Sequence, residues 1–300
     1  MDPKEFINRL EAISEHEHVP YGRAHLLFAK EAEYGRSTQQ YKGYLALSDA
    51  FKCHFLDTVE LINTECRPKV VAPLSEFYVL FLPRVVHEFQ SLCAAERIAL
   101  SGYPYHAYSL LRNTFDNLIL VSAAVQRFTD FYSMEGVTPG TNLSEDDARK
   151  LRKNTEYKVR HQMTGSQSGL TSETIAELSR WDELFDYEVH GARLSLAATQ
   201  EWMKGEKNLP VLPSFQEQPF AMFMNRFGEV GWMLHRLLPL AQPPDAPLPN
   251  TWKGKWRVLD TSFETIVFSI TKQFGKGIGA AIVELVKKKF PFTEQSVFPL

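Results

Sequence analysis

Residues 102–124 read GYPYHAYSLLRNTFDNLILVSAA, and this stretch decides the fold class. Its apolar residues recur at helical spacing, which predicts a buried helix from Tyr105 to about Tyr132. Two opposite charges, Arg112 and Asp116, lie one turn apart between leucines and a phenylalanine. A buried guanidinium must be paired and hydrogen-bonded, because an unpaired buried charge is strongly destabilising. Arg112 is therefore predicted either to hold a polar network between helices or to lie at a functional cleft.

The same helical spacing recurs along the rest of the chain. Capping-box sequences at Ser144 and Thr261 mark two helix starts, and 257–260 is the only weak strand candidate. The other predicted helices are 4–14, 38–63, 74–100 with a kink at Pro83, 144–162, 171–186, 187–204, 220–238 and 261–290.

This pattern predicts an all-α, multi-helix bundle in which short loops favour antiparallel neighbours. We divide the chain into an N-terminal helical segment (1–67), a central helical bundle (68–238), and a third segment (239–300). The third segment combines a proline-rich strap with a C-terminal helix packed on the bundle. Large apolar residues on the 220–238 and 263–286 helices further suggest a homodimer face.

Composition limits the function classes. The 300 residues are 44% hydrophobic and 23% charged with a net charge of −3, so no global basic field attracts nucleic acid or a membrane. The three cysteines include no C-x-x-C pair, which favours a reducing compartment. The charged N-terminus is unlike a secretory signal. We therefore expect a soluble, cytoplasmic protein that does not enter a membrane.

A histidine follows the opening helix at a distance of about 75 residues. Gly102-Tyr103, Ala107 and Leu110-Leu111-Arg112, then Asp116 and the segment ending at His190, resemble a group of uncharacterised bacterial helical proteins. That group is similar to the HEPN class of nucleotide-binding helical domains. The resemblance spans about 74–195. It departs at Asp116, where the group prefers glutamate, and it lacks a Leu-Ser dipeptide before His190.

The resemblance implies an HEPN-like central bundle in which Arg112, Asp116 and His190 converge between helices. It also implies a possible catalytic role for these three residues. HEPN ribonucleases carry an arginine followed by a histidine with four to six residues between them on one helix, and no histidine within the resembling span, 74–195, is preceded by an arginine at that spacing. If the protein is an enzyme, the implied activity is a metal-independent ribonuclease.

One helix is rich in basic residues after an acidic first turn. This order suits the helix dipole and is typical of a solvated surface helix. The same residues could instead contact phosphates of RNA: Arg149, Lys150, Arg152, Lys153, Lys158 and Arg160.

No dedicated metal or cofactor motif is present. His16, His18 and His25 lack the spacing of a metal site, and the sequence contains no P-loop, dinucleotide-binding or nucleophile-elbow motif. We therefore predict neither a metal nor a cofactor.

Two functions remain open. The first is a self-associating helical protein-interaction module, or one that binds another protein, with a buried Arg/Asp/His network. The second is an HEPN-like RNA-processing toxin of a bacterial defence system. The missing ribonuclease motif places the first above the second.

Overall fold

The protein is described here from a computed structural model. Within the described residues every named element is a helix and there is no β-strand; one isolated bridge joins Thr138 to Thr141. The predicted all-α, multi-helix class is confirmed. None of these helices combines the length and apolar content that a membrane crossing requires. The described residues are 23–66, 76–190, 203, 217–241, 248–274 and 276–290.

The predicted helices at 38–63, 74–100, 144–162 and 220–238 correspond closely to observed ones. A 3-10 turn precedes α2 and another follows α8, while a π-helical turn follows α2. In chain order the α-helices are α1 (Arg23–Ser37), α2 (Lys42–Leu61), α3 (Glu76–Leu100), α4 (Pro104–Val125), α5 (Phe131–Glu135), α6 (Glu145–Met163), α7 (Ser172–His190), α8 (Glu217–Leu237), α9 (Asn250–Phe274) and α10 (Lys276–Lys289).

Helix α8 forms the centre of the bundle. It contacts α3, α4 and α9, and its large side chains Phe223, Phe227, Trp232 and Leu234 are all buried. A helix that is apolar around most of its circumference belongs in a core. The apolar ridge that suggested a dimer face on this helix therefore packs inside the chain.

Helix α4 contacts α3 and α8 on one side and α6 and α7 on another. Proline at its first turn needs no backbone N–H partner, so Pro104 suits the helix start. The helix ends at Val125 rather than near Tyr132, because Arg127 takes a positive φ of 63°. The chain then turns before the short helix α5.

The C-terminal part differs from the prediction in its helix boundaries. Helix α9 runs through the predicted start at Thr261 and through 257–260, which is helical rather than a strand. A second helix, α10, then folds back on α9, and Lys287 Nζ lies 2.5 Å from Glu264 Oε1. The other predicted capping box is confirmed, since Ser144 accepts a hydrogen bond from the Asp147 N–H at 3.2 Å.

Some predictions fall outside the described residues. They include the helix at 4–14, the part of the 187–204 helix beyond His190, and most of the proline-rich strap at 239–249. Helix α7 continues to His190, so the boundary expected near residue 186 is not observed. The three-segment division stays a prediction. Phe51 of the first segment and Phe263 of the third do meet, with ring centroids 5.5 Å apart.

Candidate functional site

The charges of the opening stretch lie where α4, α6 and α7 meet. Arg112 is buried, with 8% of its surface exposed, and Asp116 lies one turn further along α4. Helix α6 buries Thr155, Val159 and Met163. These three helices carry every charged group that pairs with Arg112 or with its neighbours in this network.

The N-terminus of α7 is fixed by a cap and by a contact with α10. The Thr174 N–H donates to Thr171 Oγ1 at 3.2 Å, and Thr174 Oγ1 donates to Glu284 of α10 at 2.5 Å. Hydrogen bonds to the first backbone N–H groups of a helix stabilise its start. These contacts hold the start of α7 against α10.

Arg112 forms ion pairs with three carboxylates on two helices. Its Nη1 lies 2.5 Å from Asp182 Oδ1, a close ion pair rather than an aligned hydrogen bond. Its Nε lies 3.4 Å from Asp116 Oδ2 and 3.5 Å from Asp186 Oδ1. The guanidinium also lies over the rings of Phe115 and Phe185. Burial lowers the pKa of Arg112, but the carboxylates outweigh burial, so its pKa is raised overall.

Arg160 of α6 belongs to the same network. Its Nη2 donates to Asp116 Oδ1 at 2.7 Å and to Glu156 Oε1 at 3.4 Å, and its Nη1 lies 3.8 Å from Asp182 Oδ1. The sequence predicted Arg160 as a phosphate contact. In the structure it joins α6 to α4 and α7 through carboxylates.

Asp116 lies between the two arginines. Burial raises its pKa to about 6, although Arg112 and Arg160 oppose the rise and Glu156 and Asp182 add to it. Desolvation therefore outweighs the two neighbouring guanidinium groups. Asp116 is a carboxyl group that titrates close to neutral pH inside an ion-pair network.

A pocket of about 80 Å³ opens beside this network. One part of its wall is apolar and includes the rings of Phe115 and Trp181, and the other part is polar. Its lining residues are Phe115, Asp116, Ile119, Leu120, Glu156, Val159, Arg160, Thr164, Leu178, Ser179, Trp181 and Asp182.

The network carries more acids than bases. Four carboxylates surround the guanidinium groups of Arg112 and Arg160, which leaves two negative charges when all six groups are ionised. The described residues contain no group of three potential ligands arranged to hold a metal ion. The acids are Asp116, Glu156, Asp182 and Asp186.

The structure brings together only some of the predicted site residues. Arg112 and Asp116 meet as expected, and Arg160 joins them. His190 is the last residue of α7, four positions after Asp186, and its side chain lies outside the described part of the structure. Its convergence with Arg112 stays a prediction.

Asp182, Asp186 and Glu156 were not predicted from the sequence as site residues. A usable signal existed, since Asp182 and Asp186 have the same four-residue spacing on α7 that Arg112 and Asp116 have on α4. Nothing in the sequence indicates which helix faces α4.

The basic residues of α6 do not share one face. Arg149 pairs with Asp146 at 3.1 Å, and Lys150 lies 3.8 Å from Asp147. With about 100° per residue, Lys158 lies roughly 140–180° around the helix from Arg149, Lys153 and Arg160. Apart from Arg160, the predicted RNA contacts are exposed side chains around the helix.

Comparisons with protein-family models, with curated proteins and with solved structures found no match to this chain. The HEPN-like relationship therefore stays a prediction, and the site has to be interpreted from its own geometry.

Proposed function

We propose that this protein is a helical protein-interaction module and that the pocket between α4, α6 and α7 is its binding site. The observation that carries this proposal is the arrangement of charges beside an open pocket. Two arginines are held by four carboxylates from three helices, and three of those carboxylates line the pocket. A rigid, pre-paired polar surface suits recognition, because its side chains need little further ordering when a partner binds.

The same arrangement disfavours phosphate chemistry. Arg112 and Arg160 each lie within 3.8 Å of three carboxylates. A phosphodiester would have to displace those carboxylates and approach an excess of negative charge. We therefore interpret Arg112 and Asp116 as recognition and network residues.

The partner that we propose is a second copy of the chain. The exposed basic residues Arg149 and Lys153 lie on the same side of α6 as Arg160, which lines the acidic pocket. In a two-fold symmetric dimer the same patch meets itself, so a basic stretch beside an acidic pocket is self-complementary. This surface replaces the buried ridge of α8 as the support for self-association.

Sedimentation velocity at micromolar concentrations tests this proposal. We expect a dimer at low salt that dissociates as salt rises, because exposed charge pairs are screened. Glu156→Lys reverses a charge on the pocket wall and should give a monomer. Glu60→Lys on the exposed surface of α2 is the matched control and should behave as the unchanged protein. A monomer at every concentration and salt level would refute self-association.

The second candidate is an RNA-processing enzyme. It draws on the exposed bases of α6 together with Tyr157, which is 69% exposed and contacts the His161 ring at 4.7 Å. Basic residues interleaved with an exposed aromatic ring are typical of single-strand binding.

Incubation with single-stranded RNA in a chelator tests the enzyme. Metal-free cleavage that His190→Ala abolishes, with the fold intact, would favour the enzyme over the interaction module. We expect no cleavage and no salt-dependent RNA binding.

We also propose a reducing, cytoplasmic location. Cys53 and Cys93 are free thiols, and Cys53 is exposed. An exposed unpaired thiol is typical of proteins in compartments that keep cysteine reduced. Mass spectrometry after thiol alkylation in intact cells should find Cys53 modified, and a protein found oxidised there would contradict this location.

A further inference from the structure

We infer that the pocket between α4, α6 and α7 binds a protonated amine or a guanidinium carried on an apolar stem. The inference rests on the proposed function, since it names the chemical group that enters the binding site. The group can come from a lysine or arginine of a second copy or from a free amine, and both sources present the same chemistry.

The pocket wall carries more negative than positive charge. Asp116, Glu156 and Asp182 line the pocket, and Arg160 is its only lining base. Arg112 behind the wall pairs with Asp116, Asp182 and Asp186. The two guanidinium groups together still face four carboxylates, so two negative charges remain when all six groups are ionised. A cation entering the pocket would offset the remaining negative charge in a partly desolvated place, where such pairing is stronger than in water.

Another part of the pocket wall is apolar. Phe115 and Trp181 lie with ring centroids 4.5 Å apart, and Ile119 and Leu178 complete this surface. The Trp181 Nε1–H already donates to Glu229 at 2.8 Å, so the ring offers only its carbon surface to the pocket. Hydrocarbon covers such a surface favourably, because the contact removes apolar area from water.

The pocket suits an organic cation better than a metal ion. The described residues hold no group of three potential ligands arranged for a metal ion. At about 80 Å³ the pocket has room for several water-sized groups, each of which needs about 10–15 Å³. A short alkyl chain with a charged head fits this room better than a bare ion.

Proton linkage supports the inference. The charged groups that face Asp116 are Arg112 on its own helix, Glu156 and Arg160 on α6, and Asp182 on α7. Burial raises the pKa of Asp116 to about 6, so part of the Asp116 population is protonated below neutral pH. A bound cation would favour the carboxylate, and binding at pH 6 should therefore release protons.

Calorimetric titration with n-butylamine tests the inference. At pH 7.5 the butylammonium ion should bind, whereas 1-butanol and butyrate, which have the same stem without the positive charge, should not. Glu156→Gln should weaken butylamine binding about fivefold, the change expected for losing one partly exposed ion pair. Ser179→Met should abolish binding by filling the pocket from α7 without changing any charge.

Asp146→Asn, an exposed substitution on α6 outside the pocket, should leave butylamine binding unchanged. Equal binding of 1-butanol would show that the pocket does not recognise charge and would overturn the inference. Butylamine binding that survives Ser179→Met would overturn it as well. Each variant is first shown to unfold at the temperature of the unchanged protein, so that a lost site is not confused with a lost fold.

Two outcomes separate this inference from the proposed function. A dimer that Glu156→Lys dissociates, in a protein that does not bind butylamine, would refute the inference and leave the interaction module standing. A monomer that binds butylamine with the expected variant effects would support the inference with a free amine as ligand. That second result would refute self-association alone.

Discussion

Arg112 is the residue through which α4 and α7 are joined electrostatically. Its guanidinium is buried against Phe115 and Phe185 and is paired with carboxylates that are themselves partly exposed. The buried arginine therefore reaches its partners at the edge of the protein, where water can still solvate the acids. Such a pair contributes less to net stability than the loss of one partner costs, since the remaining charges become uncompensated.

Removing the guanidinium should destabilise the fold. We expect Arg112→Ala to lower the free energy of unfolding by about 3 kcal/mol, the low end for a broken buried pair, because Asp182 and Asp186 keep some solvation. Arg149→Ala on the exposed surface of α6 should change it by less than about 0.5 kcal/mol. Urea unfolding followed by far-UV circular dichroism measures both. Equal stability of the two variants would show that Arg112 is not buried.

Asp116 should make stability depend on pH. Its pKa is raised from 3.8 to about 6 on folding, so its contribution is present below pH 3.8 and is lost as pH rises through 6. Asp116→Asn should remove this loss. The variant should therefore gain stability relative to the unchanged protein between pH 4 and 7, by up to about 3 kcal/mol from the size of the shift.

The measurement is the free energy of unfolding of Asp116→Asn minus that of the unchanged protein at each pH, because other groups titrate in the same range. Burial raises the pKa of Glu88 to about 7, so Glu88, like Asp116, makes the fold less stable as pH rises. The buried histidines have lowered pKa values and make the fold more stable as pH rises. These contributions cancel in the difference. A difference that is constant across the range would show that Asp116 keeps its ordinary pKa.

At the scale of elements, hydrophobic periodicity predicted most helices and failed at their ends. Periodicity reports which face of a segment is buried, and that information survives in the sequence of α2, α3, α6 and α8. Periodicity did not locate the start of α9 at Asn250, because the internal Thr-x-x-Glu pattern at Thr261 resembles a helix start. Arg127 ended α4 early by taking a backbone conformation that few arginines adopt.

The candidate site could also be predicted only in part from the sequence. A charged pair inside an apolar stretch identified Arg112 and Asp116, since burial of charge is visible in one segment. The partners Asp182 and Glu156 come from α7 and α6, and only the packing of those helices on α4 makes them neighbours. The sequence of one helix does not show which other helices pack against it.

The junction of α5 with α6 depends on one glycine. Gly136 follows α5 with φ of 71°, and a Cβ there would lie 2.6 Å from the backbone oxygen of Ala148. We expect Gly136→Ala to destabilise by at least about 1–2 kcal/mol, from backbone strain and from the contact with α6.

Gly254 provides a matched control, at which the same substitution should raise the stability of the protein. It lies in the exposed part of α9, and a Cβ there would meet nothing within 4 Å. Gly254→Ala should therefore stabilise the protein by roughly 0.5–1 kcal/mol through helix propensity. Thermal unfolding of both variants measures the two signs, and a Gly136→Ala protein as stable as the original would contradict the packing of α5 on α6.

At the scale of the whole molecule, two buried histidines lie where distant parts of the chain meet. His54 of α2 lies 4.8 Å from the Trp252 ring, and His235 of α8 stacks on Trp256 at 5.2 Å. The His235 Nε2 lies 3.0 Å from the Trp256 backbone oxygen. The two histidine rings are 5.8 Å apart, so α2, α8 and α9 share one buried aromatic cluster.

This cluster should set the resistance of the fold to acid. Burial lowers the pKa of His54 to about 4 and that of His235 to about 3, from an ordinary value of 6.5. The unfolded chain then binds more protons than the folded chain below pH 6.5, so stability falls as the pH drops towards 4 and 3.

His54→Phe keeps an aromatic ring against Trp252 and removes one of the two protonation sites. It should move the acid-unfolding midpoint to lower pH and add up to about 3 kcal/mol at pH 4. Tryptophan fluorescence against pH measures the midpoint, because Trp252 and Trp256 lie in the cluster. His106→Phe on the exposed surface of α4 should leave the midpoint unchanged. A His54→Phe midpoint equal to that of the unchanged protein would show that acid unfolds the chain elsewhere, and the network of α4, α6 and α7 would then be the next place to look.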